Sequence, residues 1–324
     1  MNWLRFAAPL LALAFTGVPL PASAQTVLNV NTSLTTDDPM YAGLERFKAA
    51  VEKRSAGKLA VRIFPGSQLG KDEDVLEQAR AGANVAVLVD GGRLAPFVKE
   101  FGILGAPYLV DNFDQVLKLE SSPLFKSWTD KLRNAANLQV LSFDWFQGHR
   151  HVLTNTPVRT PADLKGIRMR TPGAPVWLET VRAMGATPTG MPWSEVYSAL
   201  QTKVIDGAEA QHPAVYGARL YEVIKHITKT EHIYLITGIL TSRTWFDKLP
   251  ADQQAILREE SFAAGKWASE ATIASLADYE KKLREKGVTI AEIDKAPFKA
   301  ATAGVYQALG YSELRKDVDK ALGR

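Results

Sequence analysis

The chain lacks cysteine altogether and has only a weak charge bias, and each of these features excludes certain classes of protein or binding site. Without cysteine there is no disulfide, no thiolate metal site and no lipidated residue to anchor a lipoprotein. The 39 lysines and arginines exceed the 35 aspartates and glutamates by 4, and the two signs are interspersed. This bias is too weak to indicate a nucleic-acid partner, so we expect none.

Two further absences concern membranes and catalysis. No stretch after residue 24 approaches the roughly 20 apolar residues that a membrane span needs, so we expect a protein that is not itself membrane-embedded. The chain also has no G-x-S-x-G, Walker A, G-x-G-x-x-G or H-E-x-x-H motif. We therefore predict a protein that is not an enzyme and that carries no cofactor and no metal.

The first 24 residues have the pattern of a cleaved export signal. Arg5 supplies the charge, residues 10–15 the apolar segment, and Ala22-Ser23-Ala24 a small-residue cleavage site. Cleavage would leave 300 of the 324 residues, beginning at Gln25, with the net charge lowered from +4 to +3 by the loss of Arg5. That length is sufficient for two lobes with a large buried fraction.

The region after the predicted signal alternates between strand and helix patterns. Short apolar runs at 27–30, 59–64 and 85–89 are separated by segments with helical spacing. This βαβαβ order predicts a parallel sheet, with ligand-binding groups at the carboxyl ends of its strands. Ser33, Asp72 and Asp90 are expected along that edge. Residues 97–125, which are apolar but broken by Gly and Pro, are expected to be packed connections.

A basic strand at 167–172 is the most informative stretch of the sequence. Alternation sends Arg168 and Arg170 to one face of this strand. Arg150 lies upstream, and aromatic residues lie on both sides of the block. A guanidinium matches a carboxylate with two charge-assisted hydrogen bonds. Because this block contains arginines but no candidate nucleophile, it favours a site that binds an organic acid over one that catalyses a reaction on it.

At these residues the chain resembles the DctP-type substrate-binding proteins of TRAP (tripartite ATP-independent periplasmic) transporters. Four motifs of that family occur in its order and spacing, together with a Gln-Leu-Gly near the start. They span Gly148–Arg150, Asp163–Pro172, Gly185–Thr202 and Asp206–Glu209, and the shorter one spans Gln68–Gly70. The resemblance covers essentially the whole chain after the predicted signal.

The resemblance implies an α/β, periplasmic-binding-protein-like fold of two lobes with a hinge and a long bracing helix. Lobe I would comprise 25–147 plus about 236–275, and lobe II 148–235 plus about 276–324. The bracing helix is expected from Ala251 to Gly287, where no proline occurs. The family resemblance also implies location in the periplasm, capture of a small-molecule carboxylate ligand in the cleft, and delivery to TRAP permease membrane subunits driven by an ion gradient.

The resemblance assigns roles to individual residues. Arg170 stands where the family's carboxylate-clamping arginine stands, and Arg150 matches a second arginine that contacts the acid. Trp193 fills an aromatic position that either stacks on the ligand or belongs to the core, and Phe146 could also cover the ligand. Arg168 misses the motif position, and we expect it to be solvated or structural.

The sequence departs from the sialic-acid-binding members at one position. Ala210 stands where those members have a ligand-binding asparagine, so a polyhydroxylated sugar acid is less expected than a small or aromatic monocarboxylate. His212 could supply a replacement hydrogen bond. Glu209 is either a buried acceptor or, with Gln147, part of the metal site of members that bind 2-oxo acids; the latter has weaker support, since Ala210 replaces that motif's tryptophan.

Several alternatives remain at the level of the sequence. The same fold could bind a C4-dicarboxylate or a uronate, or the protein could serve a sensor kinase instead of a permease, which neighbouring genes would distinguish. A periplasmic enzyme acting on an organic acid has the least support and would be recognised by turnover of the bound acid.

Overall fold

A computed structural model describes residues 25–324; the predicted signal at 1–24 lies outside the described residues. Within residues 25–324, nine strands form one continuous sheet. Their bounds are β1 Thr26–Asn31, β2 Leu59–Phe64, β3 Val85–Asp90, β4 Leu138–Thr154, β5 Arg168–Thr171, β6 Thr187–Gly190, β7 Gly207–Ala210, β8 His226–Ser242 and β9 Thr289–Ala291.

Helices cover both faces of this sheet. The α-helices are α1 Pro39–Arg54, α2 Asp72–Arg80, α3 Gly91–Leu94, α4 Phe113–Glu120, α5 Pro123–Ala136, α6 Pro175–Ala183, α7 Val196–Gln201, α8 His212–Gly217, α9 Arg243–Phe246, α10 Ala251–Glu285, α11 Ala296–Thr302, α12 Val305–Ala308 and α13 Ser312–Leu322. Short 3₁₀ segments occupy Lys99–Gly105, Pro161–Leu164, Trp193–Glu195 and Leu220–Glu222.

Local sequence signals explain where these elements begin. The Asp38 carboxylate accepts a hydrogen bond from the Met40 amide and caps α1, and Pro39 occupies the first turn, where it removes no needed donor. Thr160 and Asp163 form a capping box at the short helical turn before β5. The predicted strands at 27–30, 59–64 and 85–89 are confirmed as β1, β2 and β3.

The order of strands places two parallel units side by side. The sheet runs β2-β1-β3-β8-β4-β7-β5-β6, with β9 added along β8. Strands β1, β2 and β3 are mutually parallel, as are β5, β6 and β7. Buried apolar clusters form around each unit, two per unit. The predicted α/β architecture with two lobes is therefore confirmed.

The two units are joined by β4 and β8, an antiparallel pair of 17 residues each. Their pairing is interrupted by register shifts at four places between Val140 and Val152. Such bulges bend a strand and re-aim its side chains. The bulged pair is therefore both the connection between the lobes and a place where side chains can be turned toward the cleft.

The expected long brace is also confirmed, as the 35-residue helix α10. At 1.5 Å per residue it extends for about 50 Å, and it packs along α1, β4 and α8. Gly265 lets it approach β4 closely, since a Cβ at this position would lie 2.4 Å from Asp144 Oδ1. A helix this long in contact with both units stabilises the arrangement of each relative to the other.

The segment expected to be packed connections is partly helical, so that prediction is wrong for α4 and the start of α5. The Asn112 side chain accepts from the Gln115 amide to cap α4, and the Ser122 hydroxyl accepts from the Phe125 amide to cap α5. Both helices bury an apolar face. The interruptions by Gly and Pro mark the ends of these helices, not the absence of helix.

The C-terminal helix differs from the expected division of the chain. The family resemblance places α13 in lobe II, but the helix packs on α4 and α5. Its Val318 and Leu322 are buried in the same apolar cluster as Leu119 and Leu132. The end of the chain is therefore attached to the β1–β3 unit. Within residues 25–324, no helix combines the length and the apolarity that crossing a membrane requires.

Candidate binding site

A cavity of about 40 Å³ lies between the two units. One wall comes from the carboxyl ends of β1 and β3 and from the start of α2, through Ser33, Asp72 and Asp90. The facing wall comes from β4, β5 and β8. A buried water needs about 10–15 Å³ of such space, so the cavity holds roughly three waters and the cleft is nearly closed in this structure.

Arg170 on β5 supplies a buried positive charge to the cavity. Its side chain is 1% exposed, and its Nε and Nη2 donate to the Met191 carbonyl oxygen at 2.9 and 2.7 Å. The guanidinium lies over the ring of Trp193, 5.3 Å from the centroid. Among residues 25–324 no carboxylate lies within ion-pair distance of it. Burial, assisted by nearby Arg150, lowers the pKa of Arg170 to about 9, so it remains a cation at neutral pH.

Arg150 on β4 also lines the cavity, but its charge is already paired. It donates to both carboxylate oxygens of Glu209, with Nη2–Oε1 at 2.7 Å, and Nη2 also reaches the Glu209 carbonyl oxygen at 2.5 Å. Burial alone would raise the pKa of Glu209, but Arg150 lowers it to about 2. The Thr171 hydroxyl donates to the same carboxylate at 2.7 Å. Glu209 therefore holds Arg150 in position.

The opposite wall carries a third arginine, Arg93, within a group of carboxylates. Arg93 pairs with Asp90 and with Glu73, the latter at 2.8 Å, and lies 3.7 Å from Asp72. Burial raises the pKa of Asp72 to about 6. Its buried Oδ1 has no hydrogen-bond partner among residues 25–324. This wall thus offers an acceptor that the surrounding protein does not use.

Gly148 sets the direction of the side chains on β4. Strict alternation would place Gln147 and Arg150 on opposite faces of the strand, yet both line the cavity. Register shifts flank this stretch, and Gly148 has a φ of +114°, a conformation that favours glycine. The absence of a side chain also admits Gln211, whose Cβ would lie 3.2 Å from a Cβ at position 148.

Trp177 on α6 links the two walls. Its Nε1 donates to Asp90 Oδ1 at 3.2 Å, and the Arg150 guanidinium lies 4.7 Å from its ring centroid. It is 1% exposed. Sequence reasoning missed this residue, because its position in an amphipathic helix indicates core packing only. Nearer the surface, Lys71 pairs with Glu195 across the cleft at 2.8 Å.

The structure brings six of the nine expected site residues to the cavity wall. They are Arg170, Arg150, Trp193, Asp72, Asp90 and Ser33. The other three are buried elsewhere. Phe146 stacks on Tyr234 with ring centroids 3.8 Å apart, and the His212 ring lies 4.5 Å from that of His151. Glu209 lies behind Arg150 and reaches the cavity only through it.

Cavity-lining residues that the sequence analysis did not assign to ligand binding include Gln147, Gln211, Arg93 and Thr237. Gln147 had been considered only as a partner of Glu209 in a metal site. The structure pairs Glu209 with Arg150, so the negative charge of this carboxylate is already neutralised and is not available to a metal cation. Among residues 25–324 no three carboxylate or histidine side chains converge in a metal-binding arrangement.

A comparison with protein families matches residues 30–313 to the bacterial extracellular solute-binding protein family 7, DctP. The chain belongs to this family. A relative named C4-dicarboxylate-binding periplasmic protein DctP, from Rhodobacter capsulatus, is 31% identical over 253 residues, 76% of this chain and 75% of that protein. DctP proteins are substrate-binding proteins of transporters. Another relative is named a sialic acid-binding periplasmic protein, and related solved structures contain L-galactonate or D-glucuronate.

Two solved structures of TRAP periplasmic solute binding proteins superpose on this one to different degrees. The apo open structure from Escherichia fergusonii is 47% identical, covers 91% of this chain and 99% of its own, and has a TM-score of 0.80. The structure from Ochrobacterium anthropi with bound L-fuconate is 32% identical, covers 92% and 100%, and has a TM-score of 0.89. The structure with a bound ligand is less similar in sequence but has the higher TM-score.

Proposed function

We propose that this DctP protein captures a small organic acid anion, a monocarboxylate, in the cleft between its lobes and delivers it to the membrane subunits of a TRAP permease in the periplasm. The observation that carries the proposal is Arg170. It is a buried cation on the cavity wall with no carboxylate partner among residues 25–324. A ligand carboxylate would supply the missing charge through two hydrogen bonds.

Hinge closure is the proposed mechanism, with β4 and β8 as the connection that bends. Only contacts that are better in the closed form can drive closure. Such contacts include Trp177 to Asp90 and Lys71 to Glu195, each of which joins one wall of the cleft to the other. A ligand held by Arg170 on one side and by the Asp72 wall on the other would add to them.

The charges of the walls support a monocarboxylate over a dicarboxylate. Arg150 is neutralised by Glu209, and Arg93 by Asp90 and Glu73, so among the arginines of the described cavity wall Arg170 is the one whose charge is left for a ligand carboxylate. A second ligand carboxylate near Asp72 would meet a like charge. The small cavity, and the position of Phe146 against Tyr234, favour a small acid over an aromatic one.

A hydroxylated sugar acid is the second candidate, and Asp72 is the specific observation in its favour. The free Oδ1 of Asp72 is an acceptor suited to a ligand hydroxyl group. The relative from Ochrobacterium anthropi was solved with L-fuconate, which is an acid of this kind. Such a ligand requires a wider cleft than the one in this structure.

We further propose that the protein binds its acid without transforming it. The cavity wall supplies guanidinium, amide, carboxylate and hydroxyl groups, and no histidine of residues 25–324 lies on it. No histidine of the described cavity wall is therefore available to activate the hydroxyl of Ser33 or Thr237 as a nucleophile. Recovery of the acid unchanged after incubation with the protein would support this, and a product would oppose it.

A thermal-shift screen tests the binding proposal. Purified protein, stripped of co-purified ligand, is heated with 2-oxo acids, hydroxy acids, aromatic acids, C4-dicarboxylates and uronates. A ligand at 100 times its Kd stabilises the protein by about 2.7 kcal/mol, which is a shift of several degrees or less at this size.

The matched variants are Arg170→Ala and Arg168→Ala. Arg168 is two residues away on the same strand but is exposed, and it pairs with Asp206. We expect Arg170→Ala to abolish the shift with the fold retained, and Arg168→Ala to preserve it. If Arg170→Ala shows the same ligand-induced shift as Arg168→Ala, the claim that Arg170 binds the ligand carboxylate is wrong.

A further inference from the structure

A directed chain of hydrogen bonds runs along the floor of the cavity. Arg150 Nη1 donates to Gln211 Oε1 at 3.3 Å, and Gln211 Nε2 donates to Gln147 Oε1 at 3.0 Å. Gln147 Nε2 then donates to Thr237 Oγ1 at 3.2 Å, and the Thr237 hydroxyl donates to the Trp145 carbonyl oxygen at 2.8 Å. Both glutamines are buried, Gln147 at 8% and Gln211 at 3% exposed.

The two ends of this chain fix the orientation of both amides. A guanidinium can only donate, so Gln211 must turn its oxygen toward Arg150. Its nitrogen then faces Gln147, which must accept with its own oxygen. At the far end a backbone carbonyl can only accept, so Thr237 donates to Trp145 and accepts from Gln147. Reversing either amide would place two donors or two acceptors against each other.

This orientation determines what the amides have left for a ligand. Each amide nitrogen carries two hydrogens and uses one of them in the chain. Each amide oxygen already accepts one hydrogen bond. Since Gln147 and Gln211 both line the cavity, the floor beside Arg150 has spare N–H donors. Arg150 and Arg170 line the same cavity as the two glutamines, so these donors lie near the proposed position of the ligand carboxylate.

We propose that Gln147 and Gln211 determine specificity by donating to an oxygen on the carbon next to the ligand carboxylate, so that the site selects 2-oxo or 2-hydroxy acids over acids without that oxygen. This inference rests on the proposed function, because it takes the carboxylate to be bound at Arg170. It assigns Glu209 a positioning role, since Glu209 holds Arg150, from which the chain of hydrogen bonds begins.

Isothermal titration calorimetry of the full mature protein, stripped of ligand, tests this inference with two matched sets of acids. One set is butyrate, 2-hydroxybutyrate and 2-oxobutyrate; the other is D-gluconate and 2-deoxy-D-gluconate. A well-placed hydrogen bond in a buried site corresponds to about a tenfold or larger change in Kd. We expect the acids with the 2-oxygen to bind at least about tenfold more tightly than their partners.

Variants identify the donors. Gln147→Met keeps the length of the side chain but removes both N–H groups, and we expect the ratio of affinities within each set to fall toward 1. Gln211→Met should do the same. Gln307 is exposed and does not line the cavity, so Gln307→Met should keep the preference of the wild-type protein. The wild-type comparison by itself requires no variant to fold.

The outcomes separate this inference from the proposed function. Equal affinities within each set, with binding that Arg170→Ala eliminates, would overturn the role of the glutamines and leave carboxylate capture standing. A preference that persists in both glutamine variants would also overturn it. If no acid with a 2-oxygen binds in either set, the inference fails. If the acids bind equally to Arg170→Ala, the proposed function fails.

Discussion

Replacing Arg170 by methionine should remove binding without weakening the ligand-free protein. The guanidinium is 1% exposed and lacks an acidic partner among residues 25–324, and removing an uncompensated buried charge relieves a penalty of several kcal/mol. Against this, the Met191 carbonyl oxygen loses two hydrogen bonds, at a cost of about 1–3 kcal/mol. The contact with Trp193 contributes about 0.5–2 kcal/mol. Methionine fills much of the vacated volume.

These opposing effects predict a free energy of unfolding that is unchanged if the ligand-free cleft is open, and higher by about 1–3 kcal/mol if it is closed over Arg170, with Tm higher by a few degrees at most. The assay is calorimetry of the ligand-free wild-type and Arg170→Met proteins, repeated with a bound acid. The wild-type Tm should rise with the acid, and that of the variant should not. A ligand-free variant destabilised by more than about 2 kcal/mol would refute the reasoning, because it would make Arg170 a structural residue.

Two further predictions concern the hinge strand β4. Gly148→Ala should cost about 1–3 kcal/mol of stability and weaken acid binding, since alanine strains a φ of +114° and crowds Gln211; denaturant unfolding would show this beside Gly304→Ala, where a Cβ meets nothing within 4 Å. Burial, with a further contribution from the Glu120 carboxylate, raises the pKa of Asp144, so the folded protein holds a proton that the unfolded chain releases near pH 4, and this contribution to stability is lost as the pH rises from about 4 through the raised pKa of the folded state. Asp144→Asn should therefore gain stability relative to wild type between pH 5 and pH 9 in thermal melts, and a constant difference would contradict this.

The parts of the fold with strong local signals could be predicted from the sequence. The run at 85–89 is wholly apolar because β3 is covered on both faces, and Asp38-Pro39 marks the start of α1 through a cap and a preset φ. The helices α4 and α5 were missed although Asn112 and Ser122-Pro123 are helix-start signals. In that stretch Gly and Pro interrupt the periodic apolar pattern, so the helical spacing is too short to be recognised even though the caps are present.

The cavity itself depends on pairings that local pattern does not contain. Gln147 and Gln211 are 64 residues apart and meet because β4 pairs with β7, with Val152 opposite Glu209. The same register brings Glu209 to Arg150, so an arginine expected to hold the ligand is neutralised by the protein. The motif that contains Gly148 was recognisable, but the bulge that the glycine permits becomes apparent only once the strands are paired.

The three arginines of the cavity differ in a way that bears on closure. Arg93 and Arg150 carry their own carboxylate partners, so closing the cleft on them buries cations that are already paired. Arg170 has no such partner, and closing an empty cleft over it would seal a cation away from water at a cost of several kcal/mol. A ligand carboxylate removes most of that cost. Arg170 would therefore both hold the acid and oppose closure without it, which gives a physical reason for the ligand-free protein to open and for the loaded protein to remain closed.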